Sequence, residues 1–402
     1  MNSPLFSPCQ LGPLTLKNRS IRSAAFEGMC PGHIVSSDLI HYHRLVAEGG
    51  TAMTTVAYAA VSQSGLSFSH QLWLRQEALP GLKELTGTIH RAGAAASIQI
   101  GHGGLMAKRS ISGDCFSPCG GFNLFGPTWP RRMNQQDIRM VADDFGKAIH
   151  LCREAGFNAV EVHAGHGYLI SQFLSPYTNR RSDDYGGTFF NRSRFLLEVM
   201  EKVMKAAGND LAVLVKINLR DGFRGGMELE EAIQTARLLE GFGVHGLVLS
   251  GGFVNRTPMY VMRGSMPVKV MGKYMPERWL GPWVQWFGHW LVRPFPYTPL
   301  YFLQDALEIR RQVSLPLVYV GGVDSKDAID KALNAGFEFV QIGRALVHDP
   351  AFIGKIQRGE CQTSGCNHTN YCIAVMYAGK MVCYQNDGIR GSQWIDSETA
   401  RQ

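Results

Sequence analysis

The sequence of 402 residues predicts an α/β fold, a (β/α)8 TIM barrel formed by one domain. Eight short β-rich runs alternate with amphipathic helical patterns, which fits a barrel better than a doubly wound sheet. Most of these runs are continuously apolar, as expected for parallel strands that are covered on both faces. The G-x-G-x-x-G pattern of dinucleotide-binding sheets does not follow the first run, which further disfavours the doubly wound alternative.

The elements follow one another in a regular order. The predicted strands are residues 19–25, 52–57, 95–100, 158–163, 211–217, 246–250, 316–320 and 338–342. Helical patterns between and after them include residues 138–155, 191–207, 228–240, 303–312, 325–335 and 349–357. We expect residues 1–360 to form the barrel, with a long insertion at about 253–302 after the sixth strand. Residues 361–402 are expected to form a cysteine-containing C-terminal extension.

Charge and hydropathy exclude several classes of protein. The net charge is +7, but no run of five Lys or Arg occurs, so no nucleic-acid partner is expected. The first ten residues, MNSPLFSPCQ, have neither the basic nor the apolar region of a secretory signal. No uncharged apolar run reaches about 18 residues, the length that a membrane-spanning helix needs. The sequence therefore predicts a cytoplasmic enzyme.

The fourth predicted strand ends in a segment rich in side chains that can act in catalysis. His163, His166 and Tyr168 lie within six residues and are interleaved with glycines. In an α/β barrel the active site is built at the C-terminal ends of the strands. Two imidazoles and a phenol at such an end can bind a substrate oxygen and supply a proton, so we predict that all three are catalytic. A metal-binding histidine pair is the alternative, but no third ligand stands at a recognisable spacing, and we predict no metal.

Two further strands place polar side chains near the same end. Gln99 belongs to the third strand and Lys216 to the fifth. A lysine among apolar barrel residues is costly to bury unless an anion or a polarised carbonyl faces it. Lys216 could serve equally as a salt-bridge partner. Together with Gln99, it resembles a pair of donors for an electron-withdrawing ring edge.

The last two strands end in glycines. Gly321 and Gly322 follow the seventh strand, and Gly343 and Arg344 follow the eighth. Barrel enzymes most often bind phosphate at this place, where glycines let backbone N–H groups approach it and an arginine adds charge. Ordinary turns are the alternative explanation for the glycines. The location on these two strands favours a phosphate site.

Several motifs, in order, resemble the Old Yellow Enzyme family of NADH:flavin oxidoreductases. They are Leu16-Lys17-Asn18-Arg19, the His163–Tyr168 segment with its Leu-Ser-Pro and Asp-Asp-Tyr-Gly-Gly continuation, Gly321-Gly322 and Ile342-Gly343-Arg344. The resemblance covers about residues 5 to 358. It implies an FMN-dependent ene-reductase, which uses NADH or NADPH to reduce the activated C=C bond of a small unsaturated substrate.

By this resemblance, FMN lies across the barrel mouth. Gln99 and Lys216 would contact its pyrimidine edge, where negative charge gathers on reduction. The residues implied beside the ring are Ser23, Ala24, Ala25 and Tyr58. The residues implied around the phosphate are Gly321, Gly322, Gly343 and Arg344.

The resemblance also implies the catalytic roles. His163 and His166 would bind the carbonyl oxygen of an activated alkene, and Tyr168 would protonate its α-carbon. NAD(P)H and the alkene would use the same face of the flavin in turn. Two positions depart from the family pattern: Phe26 stands where better-known members carry Thr or Cys beside the flavin, and Lys216 replaces the commoner Arg.

The C-terminal cysteines resemble the iron–sulfur segment of the larger dienoyl-CoA reductase relatives, which contains a C-x2-C pair. Here Thr369 stands at the second position of that pair, between Cys366 and Cys372, and Cys383 follows downstream. A cluster held by cysteine thiolates needs four of them, so the missing ligand predicts a degenerate remnant without a metal. A metal bound by the three thiolates with Cys361 is the alternative.

The insertion after the sixth strand is rich in tryptophan. Trp279, Trp283, Trp286 and Trp290 are four of the seven tryptophans of the chain, and Lys269, Lys273, Arg278 and Arg293 flank them. The spacing predicts a short amphipathic helix over residues 279–292, near the barrel mouth and partly exposed. A peripheral contact with anionic lipid is one interpretation. Packing on the barrel, or a contact with a second copy of the chain, is the other.

Two other functions fit parts of the sequence. One is a non-catalytic FMN-binding or ligand-binding barrel that attaches to a surface through the tryptophan-rich insertion. The presence of His163, His166 and Tyr168 together disfavours it. The other is a desaturase that runs the same chemistry backwards on a steroid or acyl substrate.

Overall fold

Eight parallel strands close into a barrel in the computed structural model, which describes residues 3–123, 128–275, 279–376 and 380–387. The strands are β1 Ser20–Arg22, β2 Met53–Ala60, β3 Ala95–Gly101, β4 Ala159–Ala164, β5 Ala212–Asn218, β6 Gly246–Ser250, β7 Leu317–Val320 and β8 Phe339–Ile342. The barrel closes where β8 pairs with β1, with Val340 opposite Ser20. The predicted (β/α)8 fold is confirmed. Strand β1 is shorter than the predicted 19–25, because the chain leaves the sheet after Arg22.

Helices cover the outside of the barrel. They are α1 Ser37–Glu48, α2 Leu79–Arg91, α3 Gln135–Glu154, α4 Phe189–Ala207, α5 Leu229–Gly241, α6 Leu303–Arg310, α7 Lys326–Asn334 and α8 Phe352–Gln357. Polar side chains begin several of them. In α3, Asn134 and Asp137 form a reciprocal capping box, and in α7 the Ser325 hydroxyl accepts from the Ala328 amide.

The N-terminal end of the barrel is closed. A short antiparallel hairpin, Cys9–Leu11 with Leu14–Leu16, lies across it. Leu11 and Leu16 pack into an apolar cluster with inward side chains of the strands, among them Leu214, Val248 and Phe339. Because this end is filled, the opposite end, where the strands finish, is left to form a cavity.

The insertion and the tail add shorter helices at that opposite end. Within the insertion they are Pro258–Val261, Val268–Lys273 and Gly281–Leu291, and within the tail Tyr371–Ala374 and Tyr384–Asp387. The predicted tryptophan-rich helix therefore exists, but it begins after Trp279. In the part of the chain that the structure describes, no helix is long and apolar enough to cross a membrane.

Candidate active site

One cavity at the C-terminal end of the strands gathers every predicted site residue. It is lined by side chains from the barrel, the insertion and the tail. The predicted residues that line it are Ser23, Ala24, Ala25, Tyr58, Gln99, His163, His166, Tyr168, Lys216, Gly321, Gly322, Gly343 and Arg344. Ser250 of β6 lines it as well, so residues from all eight strands or the loops after them meet in one volume, as the barrel geometry requires.

The floor of the cavity is a buried polar network centred on Glu161. Its Oε1 atom accepts from Gln99 Nε2 at 2.6 Å and lies 2.8 Å from Lys216 Nζ. Its Oε2 atom accepts from Gln341 Nε2 at 2.5 Å. All four side chains are buried. Lys216 is therefore paired with a carboxylate, as its salt-bridge interpretation expects, and it also lines the cavity. Its role as a donor to a ring edge stays a prediction.

Strand register produces this network. Gln99 in β3 stands opposite Glu161 in β4, and Lys216 in β5 stands opposite His163. Alternate residues of a strand point to the same side, so Glu161 and His163 both face the barrel interior, two residues apart. The carboxylate thus forms the layer below the imidazole.

His163 is buried and faces a cationic neighbour. Burial, the second imidazole of His166 and the charge of Lys216 hold the pKa of His163 well below its ordinary value. The ring is therefore neutral near pH 7. Its Nδ1 atom accepts from the Gly165 amide at 3.4 Å, which assigns the ring proton to Nε2. A neutral imidazole in this tautomer is a hydrogen-bond donor.

His166 is held in an unusual backbone conformation. Its φ is 58°, and its amide donates to Asn218 Oδ1 at 2.9 Å. The ring Nε2 atom lies 2.7 Å from the Ser250 hydroxyl. Burial, followed by the charge of Lys216, lowers the pKa of His166 to about 3. The left-handed conformation turns this ring towards His163, with ring centroids 5.0 Å apart.

Tyr168 completes the same wall of the cavity. Its ring centroid lies 4.8 Å from that of His163 and 4.7 Å from that of Tyr58. Tyr58 itself donates to the Ser67 hydroxyl at 2.9 Å. Tyr168 is buried among apolar side chains such as Phe68 and Met106. The two imidazoles and the phenol therefore face one volume above the polar floor.

The loop after β1 forms another side. Ser23 donates from Oγ to Gln341 Oε1 at 3.2 Å, which ties the loop to the floor network. Phe26 stacks on Phe68 with ring centroids 4.3 Å apart, so it supplies an apolar surface and no hydrogen bond from its side chain. The following residue, Glu27, turns inward and accepts from the buried Arg22 guanidinium at 2.6 Å.

Glycines and Arg344 shape the far end. Gly322 has a φ of 69°, and a Cβ there would lie 2.6 Å from the Leu300 amide and 2.8 Å from the Thr298 carbonyl. A larger residue would therefore collide with the insertion. Arg344 donates from Nη1 to the Arg263 carbonyl at 2.6 Å and to Asn370 Oδ1 at 2.9 Å. Insertion and tail thus both hold this guanidinium at the cavity wall.

The tail adds a hydrogen-bonded group that the sequence did not predict. His368 stacks on Tyr297 at 3.5 Å, and both hydrogen-bond to Asp324 Oδ2. Burial lowers the pKa of His368, but its hydrogen bonds to Asp324 and Cys366 outweigh burial and raise the pKa.

In the same tail, burial raises the pKa of the Cys372 thiol to about 12. Within the described ranges, no three His, Cys, Asp or Glu side chains are arranged to hold a metal.

These donors fit FMN. The floor offers N–H donors from Gln99 and Lys216, which suit the polar edge of a flavin ring. Across the cavity, a Cβ added to Gly343 would meet only Ser23 Cβ, at 4.0 Å, so the space beside Arg344 is open to a phosphate. The walls between are mainly apolar. Gln99 and Lys216 would thus hold the polar edge of the ring, and Arg344 would hold the phosphate.

Three buried side chains of the site were missed at the sequence level. Glu161 and Gln341 form the floor, and Asn218 positions His166. The strand period contains a signal for the first two, because Glu161 stands two residues before His163 and Gln341 two before Gly343. Asn218 stands two residues after Lys216, so the same period places it on the interior side of β5. Its contact with His166 has no signal in the sequence, since it depends on the turn after β4.

Comparisons with known proteins identify relatives of this chain. The model of the NADH:flavin oxidoreductase / NADH oxidase family matches residues 4–255. A 4,4'-dithiodibutanoate disulfide reductase of Rhodococcus erythropolis is 38% identical over 378 residues, 93% of this chain and 93% of that protein. An NADPH dehydrogenase of Listeria monocytogenes is 31% identical over 360 residues, 87% of this chain and 93% of that protein.

A solved structure shares the architecture. The old yellow enzyme homologue from Zymomonas mobilis superposes with a TM-score of 0.72 at 22% identity, over 91% of this chain and 96% of that one. At this identity the likeness supports the fold. The barrel fold is thus common to both proteins.

Proposed function

Because the chain belongs to the NADH:flavin oxidoreductase / NADH oxidase family, the Old Yellow Enzyme family, we propose that it reduces activated C=C bonds. The protein is an NAD(P)H-dependent FMN oxidoreductase. The observation that carries the ene-reductase proposal is the shared volume of His163, His166 and Tyr168 above the Glu161 floor. Two neutral imidazoles and one phenol suit a carbonyl acceptor and a carbon that needs a proton.

FMN bound here would supply two-electron hydride chemistry, with NADH or NADPH as the electron donor. His163 donates from Nε2 to the carbonyl oxygen of the substrate, and His166 lies beside it as a second partner. Both rings stay neutral because burial and Lys216 lower their pKa values. They therefore stabilise charge that develops on the oxygen during reduction without first protonating it.

Tyr168 is the proposed proton donor. Its ring stands against His163 and Tyr58, so its position relative to the bound carbonyl is fixed by packing on two sides. Addition of a hydride to the β-carbon leaves the α-carbon as the site that needs a proton. A phenol placed at that carbon completes the saturated product by general acid catalysis.

The floor would hold the ring of the cofactor. Gln99 and Lys216 both contact Glu161 Oε1, so the carboxylate fixes the direction of each donor. Lys216 adds a positive charge close to the region where reduction accumulates negative charge. At the other end, Gly343 and Arg344 are proposed to bind the phosphate.

The test is anaerobic. The holoenzyme is reduced with NADH or with NADPH, and then mixed separately with an enone, a nitroalkene and an enoyl thioester while the flavin spectrum is followed. We expect reoxidation by at least one of these alkenes and its saturated product in equal amount. Flavin that is reduced by nicotinamide but not reoxidised by any alkene would contradict the ene-reductase proposal and leave the flavin oxidoreductase assignment intact.

A second candidate function is the reductive cleavage of a disulfide. It is favoured by the 38% identity to the disulfide reductase of Rhodococcus erythropolis over nearly the whole of both chains. In this reaction two electrons and two protons convert one disulfide into two thiols, and Tyr168 would protonate a departing thiolate. Adding 4,4'-dithiodibutanoate to the same anaerobic assay separates the two functions, because free thiols appear only if the disulfide is cleaved.

A further inference from the structure

The helix Gly281–Leu291 presents an unusual outer surface. Trp286, Phe287 and Trp290 are 76%, 53% and 72% exposed, and Trp283 on the same side is 47% exposed. At 100° per residue, these four rings fall within about a third of the helix circumference. Large aromatic side chains bury much area when they find a partner, so a soluble surface seldom leaves so many of them together.

The opposite side of this helix is packed so tightly that the helix cannot turn the rings inward. Gly272, in the helix Val268–Lys273, meets Gly281: a Cβ on Gly281 would lie 2.5 Å from the Gly272 carbonyl oxygen. A Cβ on Gly288 would lie 2.4 Å from Val268 Cγ1. Val284 between them is buried. Packing on the neighbouring helix therefore explains the side of the helix that carries the glycines, and the aromatic side remains exposed.

Most of the net charge of the chain lies in the same insertion. Residues 253–302 contain six Lys or Arg and one acidic residue, a net charge of +5 out of +7 for the whole chain. Lys269 and Lys273, one turn apart on the helix that packs against the aromatic helix, are exposed, and so is Arg293. Exposed aromatic rings and cationic side chains in one segment are the combination that peripheral helices use at anionic bilayer surfaces.

We propose that the aromatic surface of Gly281–Leu291 docks on the surface of an anionic lipid bilayer. The helix has 11 residues, too few to span the membrane, so it lies in the interface with its rings inserted. A second copy of the chain is a poorer occupant. A two-fold contact would bring two copies of the same basic insertion together, and like charges would oppose it.

Docking here would place the lipid beside the cavity. The inner side of the same insertion lines the cavity through Met262, Met266 and Val292. The wall between cavity and bilayer would thus be one layer of the insertion. This binding proposal is independent of the reaction that the cavity performs, because it concerns only the outer surface.

The test is co-sedimentation of the FMN-loaded protein with vesicles. One vesicle contains phosphatidylcholine alone and the other contains phosphatidylcholine mixed with phosphatidylglycerol. We expect wild type to sediment with the mixed vesicles and to be released by high salt. The variant Trp286→Ser/Trp290→Ser should bind the mixed vesicles about tenfold more weakly or less.

A matched control removes two aromatic rings elsewhere. Trp129 and Phe190 lie outside the insertion and are 72% and 66% exposed, close to the values of the tested pair. Trp129→Ser/Phe190→Ser should bind as wild type does, and both variants should keep the wild-type flavin spectrum. The proposal is wrong if wild type does not sediment with the mixed vesicles, if it binds both vesicles equally, or if the control pair loses binding to the same degree. Loss of a dimer in the tested pair, without vesicle binding by wild type, would instead identify a subunit contact.

Discussion

At the scale of single residues, the Glu161 carboxylate determines how the floor of the cavity is held. It contacts Gln99, Lys216 and Gln341, and all of these side chains are buried. Breaking a buried ion pair by removing one partner leaves an uncompensated charge, which is more costly than replacing both partners. The network therefore depends on Glu161 more than on any one of its donors.

We expect Glu161→Gln to lower the free energy of unfolding by about 3–5 kcal/mol, because it leaves the Lys216 cation buried without a counterion. The double variant Glu161→Gln/Lys216→Met removes both charges and should recover a substantial part of this loss. Urea unfolding of the FMN-saturated proteins measures both changes. Equal stability of wild type and Glu161→Gln would show that the carboxylate does not compensate Lys216.

Two histidines with lowered pKa values make the stability of the folded protein depend on pH. Burial lowers the pKa of His102 and of His166 to about 3, from an ordinary value of 6.5 in both. Between these pH values the unfolded chain binds more protons than the folded one, so acid favours unfolding. Their contribution to stability is complete above about pH 6.5 and is lost progressively as the pH falls.

We therefore expect the free energy of unfolding to fall below about pH 6, by up to about 1.4 kcal/mol per pH unit for each such histidine. His166→Asn removes one titrating group and should make the decline less steep. His150, which is exposed on α3, offers the matched control: His150→Asn should keep the wild-type slope. Chemical unfolding at several pH values measures this, and identical slopes for all three proteins would contradict the assignment of a neutral His166 with a lowered pKa.

The sequence predicted the proposed catalytic residues better than the residues that position their side chains. His163, His166 and Tyr168 stand together on one segment at a strand end, where barrel enzymes place active sites. Asn218 acts on His166 from 52 residues away, through a contact that exists only after β4 and β5 have paired. Long-range contacts of this kind leave no periodic signal in a single sequence.

At the scale of secondary structure, the apolar runs predicted the barrel strands because each strand is buried on both sides. The tryptophan spacing predicted the helix Gly281–Leu291 because these residues recur at the helical period on one side. What the sequence did not reveal is its glycine contact. Gly272 and Gly281 lie in separate elements, and only the structure shows that their backbones touch.

That contact can be tested by adding one methyl group. Gly272→Ala would place a Cβ 2.8 Å from the Gly281 carbonyl oxygen and 2.7 Å from Gln285 Cγ, so the two helices must separate. Gly241→Ala in α5 is the matched control, because a Cβ there meets nothing within 4 Å. We expect overpacking to destabilise the Gly272→Ala variant by about 1–3 kcal/mol, which should appear as faster proteolysis within the insertion. Cleavage of both variants at the wild-type rate would show that the helices are not held by this contact.

At the scale of the whole molecule, three parts of the chain meet at the cavity. The barrel supplies the floor, the insertion supplies Met262 and Val292, and the tail supplies Cys372 and Met381. Met381 also donates its amide to the Glu27 carbonyl at 2.8 Å, which fixes the tail beside the loop after β1. The division into a barrel of residues 1–360 and an extension of 361–402 stays a prediction, and in the structure the extension shares the site.

The central claim is that this assembled cavity reduces an activated alkene with Tyr168 as the proton donor. It is tested most directly by measuring both half-reactions of wild type and Tyr168→Phe by anaerobic stopped flow. Reduction of the flavin by NADPH needs no proton from Tyr168, and we expect its rate to stay close to wild type. Reoxidation by an α,β-unsaturated ketone should slow by about a hundredfold or more, because general acid catalysis is lost. Equal slowing of both half-reactions, or undiminished reoxidation by the ketone, would contradict this account.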